Sequence, residues 1–157
     1  MFKISRKTSV WLSLALAAFF MVALIAGSFI MPWLVNTLIN LPDNSGVRQG
    51  ITAGGRAFVL GLSYGLLAVC ALADCLLIAL LLRVRKGLVF TAQSAGLIRG
   101  VSWCGILLGL LFGALGFYFE LSFALAFAGF FLGLCLRVVK NVIEEATAIK
   151  AENDLTV

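Results

Sequence analysis

Long apolar stretches separated by short charged segments dominate the chain. Four of them, at residues 10–31, 57–82, 100–118 and 121–136, contain almost no charged side chain. A helix needs about 20 apolar residues to cross a bilayer core, and it satisfies its backbone hydrogen bonds internally. The pattern therefore predicts four transmembrane helices. Only Glu120 separates the last two, which predicts a tight turn there because one continuous helix would place this carboxylate near the bilayer centre.

Composition leaves room for little besides this membrane domain. The 157 residues are 62% hydrophobic and 12% charged, whereas soluble domains are about one quarter charged. We predict an all-α fold, an integral membrane four-helix bundle that forms a single domain over residues 1–157. There is no room for a separate soluble catalytic domain.

Basic side chains are concentrated on one side of the predicted spans. Ten of them precede the first span, lie between the second and third spans or at the start of the third, or follow the fourth. Only Arg48 and Arg56 lie in the loop at 35–55. Because cytoplasmic loops carry an excess of Lys and Arg, both termini are predicted to be cytoplasmic, N-in and C-in. The basic start of the first span is also typical of a signal peptide, but its apolar run exceeds the roughly 7 to 15 residues of such peptides.

Residues typical of membrane interfaces flank the first span. Trp11 and Trp33 are 22 residues apart, which is about 33 Å along a helix and close to the bilayer thickness. Pro32 is predicted to end or kink this helix at its outer end, because proline lacks the backbone N–H donor.

Glycines recur at helical spacing in three of the predicted spans. Small residues let helix backbones approach in lipid, where the hydrophobic effect does not drive helices together. The glycines are expected either to pack helices within the bundle or to form the interface of a homo-oligomer. They are Gly61, Gly65, Gly105, Gly109, Gly113, Gly129 and Gly133.

Residues that usually carry enzymatic chemistry are scarce. The chain has no histidine, which excludes histidine general bases and Cys/His zinc sites. Its four cysteines lie inside predicted spans without a C-x-x-C pair, a pattern that favours buried structural thiols over a thiol oxidoreductase. The basic residues follow membrane topology and form no basic surface for nucleic acid. We predict a protein that is not an enzyme, has no cofactor or metal and does not bind nucleic acid directly.

Asp74 is the one ionisable residue well inside a predicted span. A carboxylate there is costly unless it faces the protein interior and finds a partner, or is protonated. One hypothesis makes it a structural clasp that bonds to the hydroxyl of Ser102 or pairs with Arg99. The other places it in a proton or cation pathway. We call these three residues the predicted polar site.

The tail at 137–157 changes to the pattern of an amphipathic helix, which is predicted to extend the fourth span into the cytoplasm. An apolar face flanked by acidic residues suits a groove with a basic surface. Candidate partner-binding residues are the apolar Val142, Ile143, Ala146 and Ile149 and the acidic Glu144, Glu145, Glu152 and Asp154.

Two short segments resemble a known family. The ending Ala-Glu-Asn-Asp-Leu-Thr-Val at 151–157, and Val89-Phe90-Thr91 ahead of Arg99, are similar to the domain-of-unknown-function 2975 family. The resemblance covers essentially the whole chain. It implies a bacterial inner-membrane protein with four helices and no established activity or catalytic residues. It also implies a partner, because members are often encoded beside a small helix-turn-helix regulator.

Two functions follow from the residues and the resemblance. The first is a non-enzymatic inner-membrane protein, regulatory or scaffolding. Its tail and the loop between its second and third spans contact a cytoplasmic protein. The second is a small transporter or channel component that acts as an oligomer around Asp74. A second charged residue inside the predicted spans would favour the transporter. The amphipathic tail favours the protein that binds a cytoplasmic partner.

Overall fold

Four long α-helices make up the fold. The computed structural model describes residues 6–41, 46–48, 50–88 and 91–154, and these contain no strand. All four helices are long and apolar enough to cross a membrane, so the predicted all-helical architecture with four helices of spanning length is confirmed. The helices are α1 (Arg6–Ile39), α2 (Ala53–Arg85), α3 (Ala92–Gly116) and α4 (Leu121–Asp154).

Three of the helices are longer than a bilayer core requires. α1, α2 and α4 contain 34, 33 and 34 residues, or about 50 Å of helix against a hydrocarbon core of about 30 Å. α3 contains 25 residues, about 37 Å of helix. The ends of the longer helices therefore project beyond the apolar layer.

Pro32 lies inside α1 and does not end it, so the prediction of a helix end at this residue is wrong. Proline cannot donate to the carbonyl four residues earlier, which here belongs to Ser28. The hydroxyl of Tyr64, on α2, donates to that carbonyl at 3.2 Å. α1 continues to Ile39 because a neighbouring helix satisfies the carbonyl that the proline leaves free.

α3 and α4 form the closest helix pair. A Cβ atom built on Gly105 would lie 3.1 Å from the Cα of Gly133, and one on Gly129 would lie 2.9 Å from the backbone nitrogen of Gly109. These distances leave no room for a side chain, so the two backbones are in direct contact. The hydroxyl of Ser102 donates to the carbonyl of Gly133 at 2.7 Å, which adds an interhelical hydrogen bond at the same contact.

Other glycines of the repeat have no such contact. A Cβ on Gly61 would have no atom within 4 Å, and those on Gly65 and Gly113 would meet their nearest neighbours at 3.9 Å. Gly61 is exposed on the surface of the chain. The prediction that it packs helices within the chain is therefore wrong, because α2 turns this position away from its neighbours.

Within the described part of the chain, helix backbones approach closely only between helices that follow one another in sequence, α1 with α2, α2 with α3 and α3 with α4. Among the described residues, no Cα–Cα distance of 8 Å or less joins α1 to α3 or α4. The bundle is therefore open along one side, where α2 is flanked by α1 and by the α3–α4 pair.

The loop between α1 and α2, which the predicted orientation places outside, is joined at residues 46–48 to the turn between α3 and α4, which occupies residues 117–120. The N–H of Arg48 donates to the carbonyl of Tyr118 at 2.9 Å, and the N–H of Glu120 donates to the carbonyl of Gly46 at 3.0 Å. These two hydrogen bonds connect the loop after α1 to the far pair of helices.

Two arginine–tryptophan pairs mark the opposite end of the bundle. The guanidinium carbon of Arg85 lies 4.7 Å from the ring centroid of Trp11, and that of Arg137 lies 4.9 Å from the ring of Trp103. Both distances suit cation–π attraction, and both residue types are typical of the membrane interface. The pairs connect α1 to α2 and α3 to α4 at the level where the helices leave the apolar layer.

Candidate functional site: the Asp74 cavity and the inner end of α4

Asp74 lies on α2 near the middle of the apolar layer. Arg85, which marks the inner interface, is 11 residues away along the same helix, or about 16 Å. Only 7% of Asp74 is exposed, and its Oδ2 atom is buried without a hydrogen-bond partner. A buried polar atom without a partner is costly and calls for an explanation.

The predicted partners of Asp74 lie elsewhere. The hydroxyl of Ser102 is used by the carbonyl of Gly133, on α4. Arg99 is exposed on α3 and forms no ion pair with Asp74. The predicted polar site is therefore not assembled, because Ser102 faces α4 whereas Asp74 faces the open side of the bundle.

Asp74 lines a cavity of ≈ 500 Å³ between α1, α2 and α3, which we call the inner cavity. Its lining is apolar apart from the side chains of Ser13, Cys70 and Asp74. Leu16 and Phe20, on its α1 side, are 63% and 57% exposed. The inner cavity therefore opens sideways, toward the lipid that would surround the bundle.

A second cavity of ≈ 530 Å³ lies nearer the outer end and is bounded by all four helices. We call it the outer cavity. Cys70 lines both cavities, so they adjoin along α2. The described lining of the outer cavity contains no charged side chain. Its Ser63 hydroxyl already donates to the carbonyl of Val59 at 2.8 Å. The inner cavity is therefore the stronger candidate for a binding site, because an acidic side chain lines it.

The four cysteines are free thiols. Cys104 is buried, as predicted, but Cys75 and Cys135 are exposed on the outside of the helices. The prediction of buried thiols is wrong for these two, because their helices present them to the surroundings and not to a neighbouring helix.

The inner end of α4 extends beyond the rest of the bundle. The register that brings Gly105 against Gly133 places Ala92, the first residue of α3, level with Ala146. α4 continues to Asp154, which is about 12 Å farther along the helix.

This end of α4 carries an exposed face that is both apolar and acidic. Val142 and Ile149 are 60% and 54% exposed. At the helical repeat, the exposed residues Glu145 and Glu152 fall on the same face. We call Val142, Glu145, Ile149 and Glu152 the α4 stripe.

The remaining predicted partner-binding residues are not part of this exposed face. Ala146 follows Val142 by one turn, but it and Ile143 are half-buried. Glu144 forms an ion pair with Lys140 one turn earlier on the helix. The side chain of Asp154 lies outside the described residues, as do Val89, Phe90 and the last three residues of the chain. The single partner-binding face predicted from the sequence is therefore divided between two sides of α4.

Sequence reasoning missed the residues that surround Asp74 in the inner cavity. Ser13 and Phe20 lie in a span that gave no sign of a site, because a cavity arises from the gap between α1 and α3. Ser28 and Tyr64 were also missed, although the position of Pro32 four residues after Ser28 indicates a free carbonyl at that level.

Comparison with known proteins identifies a family but no activity. The family model described as "Protein of unknown function (DUF2975)" matches residues 8–157, and the chain belongs to this family. No curated protein and no solved structure shows a significant match. The function therefore has to be argued from the geometry.

Proposed function

We propose that this member of the DUF2975 family is a non-enzymatic regulatory or scaffolding protein of the bacterial cytoplasmic membrane. It holds a soluble protein at the membrane through the α4 stripe. The observation that carries the proposal is that α4 extends about 12 Å beyond α3, with Ile149 exposed on this extension and Val142 exposed one helical turn before it. The membrane-spanning part of the bundle does not require this extension.

The distribution of charge supports a cytoplasmic location for the extension. Arg83, Arg85 and Arg137 lie at the same end of the bundle as the α4 stripe, whereas Arg48 and Arg56 lie at the other end. An excess of basic residues is typical of the cytoplasmic side. Four spans place both termini on one side, so N-in and C-in is the proposed orientation.

The chemistry of the α4 stripe indicates the kind of partner. Val142 and Ile149 are two helical turns apart and suit an apolar groove that receives one face of a helix. Glu145 and Glu152 would meet basic residues at the rim, which fixes the register and raises the association rate. A helix-turn-helix regulator, the partner that the family resemblance implies, has the basic surface of a DNA-binding protein.

Site-specific photo-crosslinking in the intact membrane tests this proposal. A photoreactive residue at Val142 is expected to crosslink a soluble protein that mass spectrometry identifies, because this side chain lies on the α4 stripe. The matched control is Leu132, which is 59% exposed on the same helix but lies within the span. A crosslinker there is expected to capture only lipid or membrane proteins.

Substitutions on the extension make the test specific. Ile149→Asp is expected to abolish the crosslink from Val142, because a carboxylate would enter the apolar groove. Thr147→Asp adds the same charge on the side of α4 opposite the stripe and is expected to preserve the crosslink. Equal crosslinking in both variants, or none in the parent protein, would contradict the proposal.

A second candidate function is a small oligomeric transporter or channel component that uses Asp74. The unpaired Oδ2 atom in the inner cavity favours it. A conduction path needs further polar groups, and the described lining of this cavity has no second charged side chain. An oligomer would have to complete the path. Proton or cation flux into proteoliposomes that disappears in Asp74→Asn would support this function, and flux that is unchanged would remove it.

A further inference from the structure

The inner cavity contains a carboxyl group whose Oδ2 atom has no hydrogen-bond partner in the part of the chain that the structure describes. Asp74 is 7% exposed, and its Oδ2 atom accepts no hydrogen bond from any described residue. The other polar side chains of the lining are the hydroxyl of Ser13 and the thiol of Cys70. Neither is a cation. The cavity thus combines one acidic group with apolar walls and no basic group.

We propose that the inner cavity binds a hydrophobic organic cation, with the Asp74 carboxylate as its counter-ion. This inference rests on the second candidate function only in that both place the site at Asp74. It requires that the cation binds in the inner cavity, but it does not require that the protein carries the cation across the membrane. The α4 stripe plays no part in it.

Charge complementarity determines the sign of the ligand. An ionised carboxylate in apolar surroundings is costly unless a cation compensates it. The nearest basic residue on α2 is Arg83, nine residues from Asp74 and about 13 Å along the helix. Arg99, on α3, is exposed and forms no ion pair with Asp74. A cationic ligand would supply the charge that no described side chain supplies to Asp74.

The walls of the cavity favour an organic cation over a metal ion. Ca²⁺ binds about six to eight oxygen atoms and Mg²⁺ needs near-ideal octahedral geometry, whereas this lining offers one carboxyl and one hydroxyl side chain. An organic cation surrounds its charge with apolar groups that match the walls. The ring of Phe20, on the α1 side of the cavity, can contact such a cation through its face.

The size and access of the cavity fit this ligand class. Its volume of ≈ 500 Å³ lies within the range of about 300 to 1,000 Å³ for small-molecule sites. Leu16 and Phe20 are more than half exposed, and among the described residues no Cα atom of α1 lies within 8 Å of one of α3. A hydrophobic cation dissolved in the bilayer can therefore enter between these helices without crossing the aqueous phase.

Equilibrium binding of radiolabelled tetraphenylphosphonium to the full-length protein tests the inference. The protein is placed in phosphatidylcholine nanodiscs, and binding to empty nanodiscs is subtracted. Saturable binding is expected, and Asp74→Asn is expected to weaken it by about 30-fold or more because the counter-ion is lost. Glu120→Gln removes the same charge at an exposed site in the outer turn and is expected to leave binding unchanged.

Two further measurements keep the test decisive. Ala73→Phe places a ring in the cavity lining and is expected to abolish binding although Asp74 remains. Triphenylphosphine oxide, a neutral molecule of similar shape, is expected to compete poorly. If Asp74→Asn does not fold, tetraphenylphosphonium binding to Ala73→Phe tests the inference in its place. Absence of saturable binding to the parent protein, or equal binding to Asp74→Asn or Ala73→Phe, overturns the inference. Binding without flux in proteoliposomes upholds it and removes only the transporter function.

Discussion

At the scale of single residues, one hydroxyl group compensates for a proline in the middle of a span. Pro32 frees the carbonyl of Ser28, and Tyr64 from the next helix donates to it at 3.2 Å. In lipid, where no water reaches the backbone, such a carbonyl needs a partner from the protein. The contact therefore both preserves α1 and connects it to α2.

A double-mutant cycle between Pro32 and Tyr64 measures this compensation. Tyr64→Phe is expected to lower the free energy of unfolding by about 0.6 kcal/mol, the average for interhelical hydrogen bonds in membranes. In a Pro32→Ala background its cost is expected to shrink, because the new N–H of residue 32 donates to Ser28. Reversible unfolding by a denaturing detergent in mixed micelles provides the measurement. Equal costs of Tyr64→Phe in both backgrounds would show that the hydroxyl and the proline are not coupled.

At the scale of helices, small residues determine how closely α3 and α4 approach. Gly129→Ala would place a methyl group 2.9 Å from the backbone of Gly109, so the helices would have to separate. We expect it to lower the free energy of unfolding by about 1 to 3 kcal/mol, the usual cost of overpacking. Thermal unfolding of the purified protein in detergent would report the loss.

The matched control is Gly61→Ala, because a methyl group there would meet no atom within 4 Å. It is expected to be neutral or slightly stabilising, since alanine is the better helix former. A loss of stability or of oligomeric mass in Gly61→Ala would instead reveal that this exposed glycine contacts a second copy of the chain. Equal effects of the two substitutions would contradict the proposed role of the α3–α4 contact.

The helices themselves were predictable from sequence, whereas their mutual arrangement was only partly so. The length of the apolar stretches sufficed to predict four spans, because the thickness of the bilayer sets the number of apolar residues that a span needs. The pattern of glycines predicted close approach but did not distinguish Gly105, which contacts α4, from Gly61, which contacts nothing. Ser102 was expected beside Asp74, yet the α3–α4 register brings it to Gly133. Which residues face a neighbouring helix depends on how each helix is rotated about its axis, and the identity of a residue does not reveal this rotation.

At the scale of the whole molecule, the contacts make an open arrangement with two distinct ends. Among the described residues, the backbone of α1 comes close only to that of α2, and the inner cavity lies on the side where α1 and α3 stay apart. The outer end is closed by backbone hydrogen bonds between the loop at 46–48 and the turn at 117–120. The inner end carries the arginine–tryptophan pairs and the extension of α4. A ligand from the membrane and a partner from the cytoplasm would thus use separate parts of the molecule.

The orientation of these ends in the membrane decides whether a cytoplasmic partner can reach α4. A reporter that is active only outside the cytoplasm is expected to be silent when fused after Val157 and active when inserted at Ser45. The physical reason is that ten of the twelve basic residues belong to the side that contains both termini, and basic segments are retained in the cytoplasm. Enzyme activity of the reporter in intact cells, normalised to protein level, gives the measurement. A reporter with the opposite requirement, active only in the cytoplasm, is the control and should give the inverse pattern. Activity of the first reporter after Val157 would place the α4 stripe outside the cell, and the proposed recruitment of a cytoplasmic regulator would then be impossible.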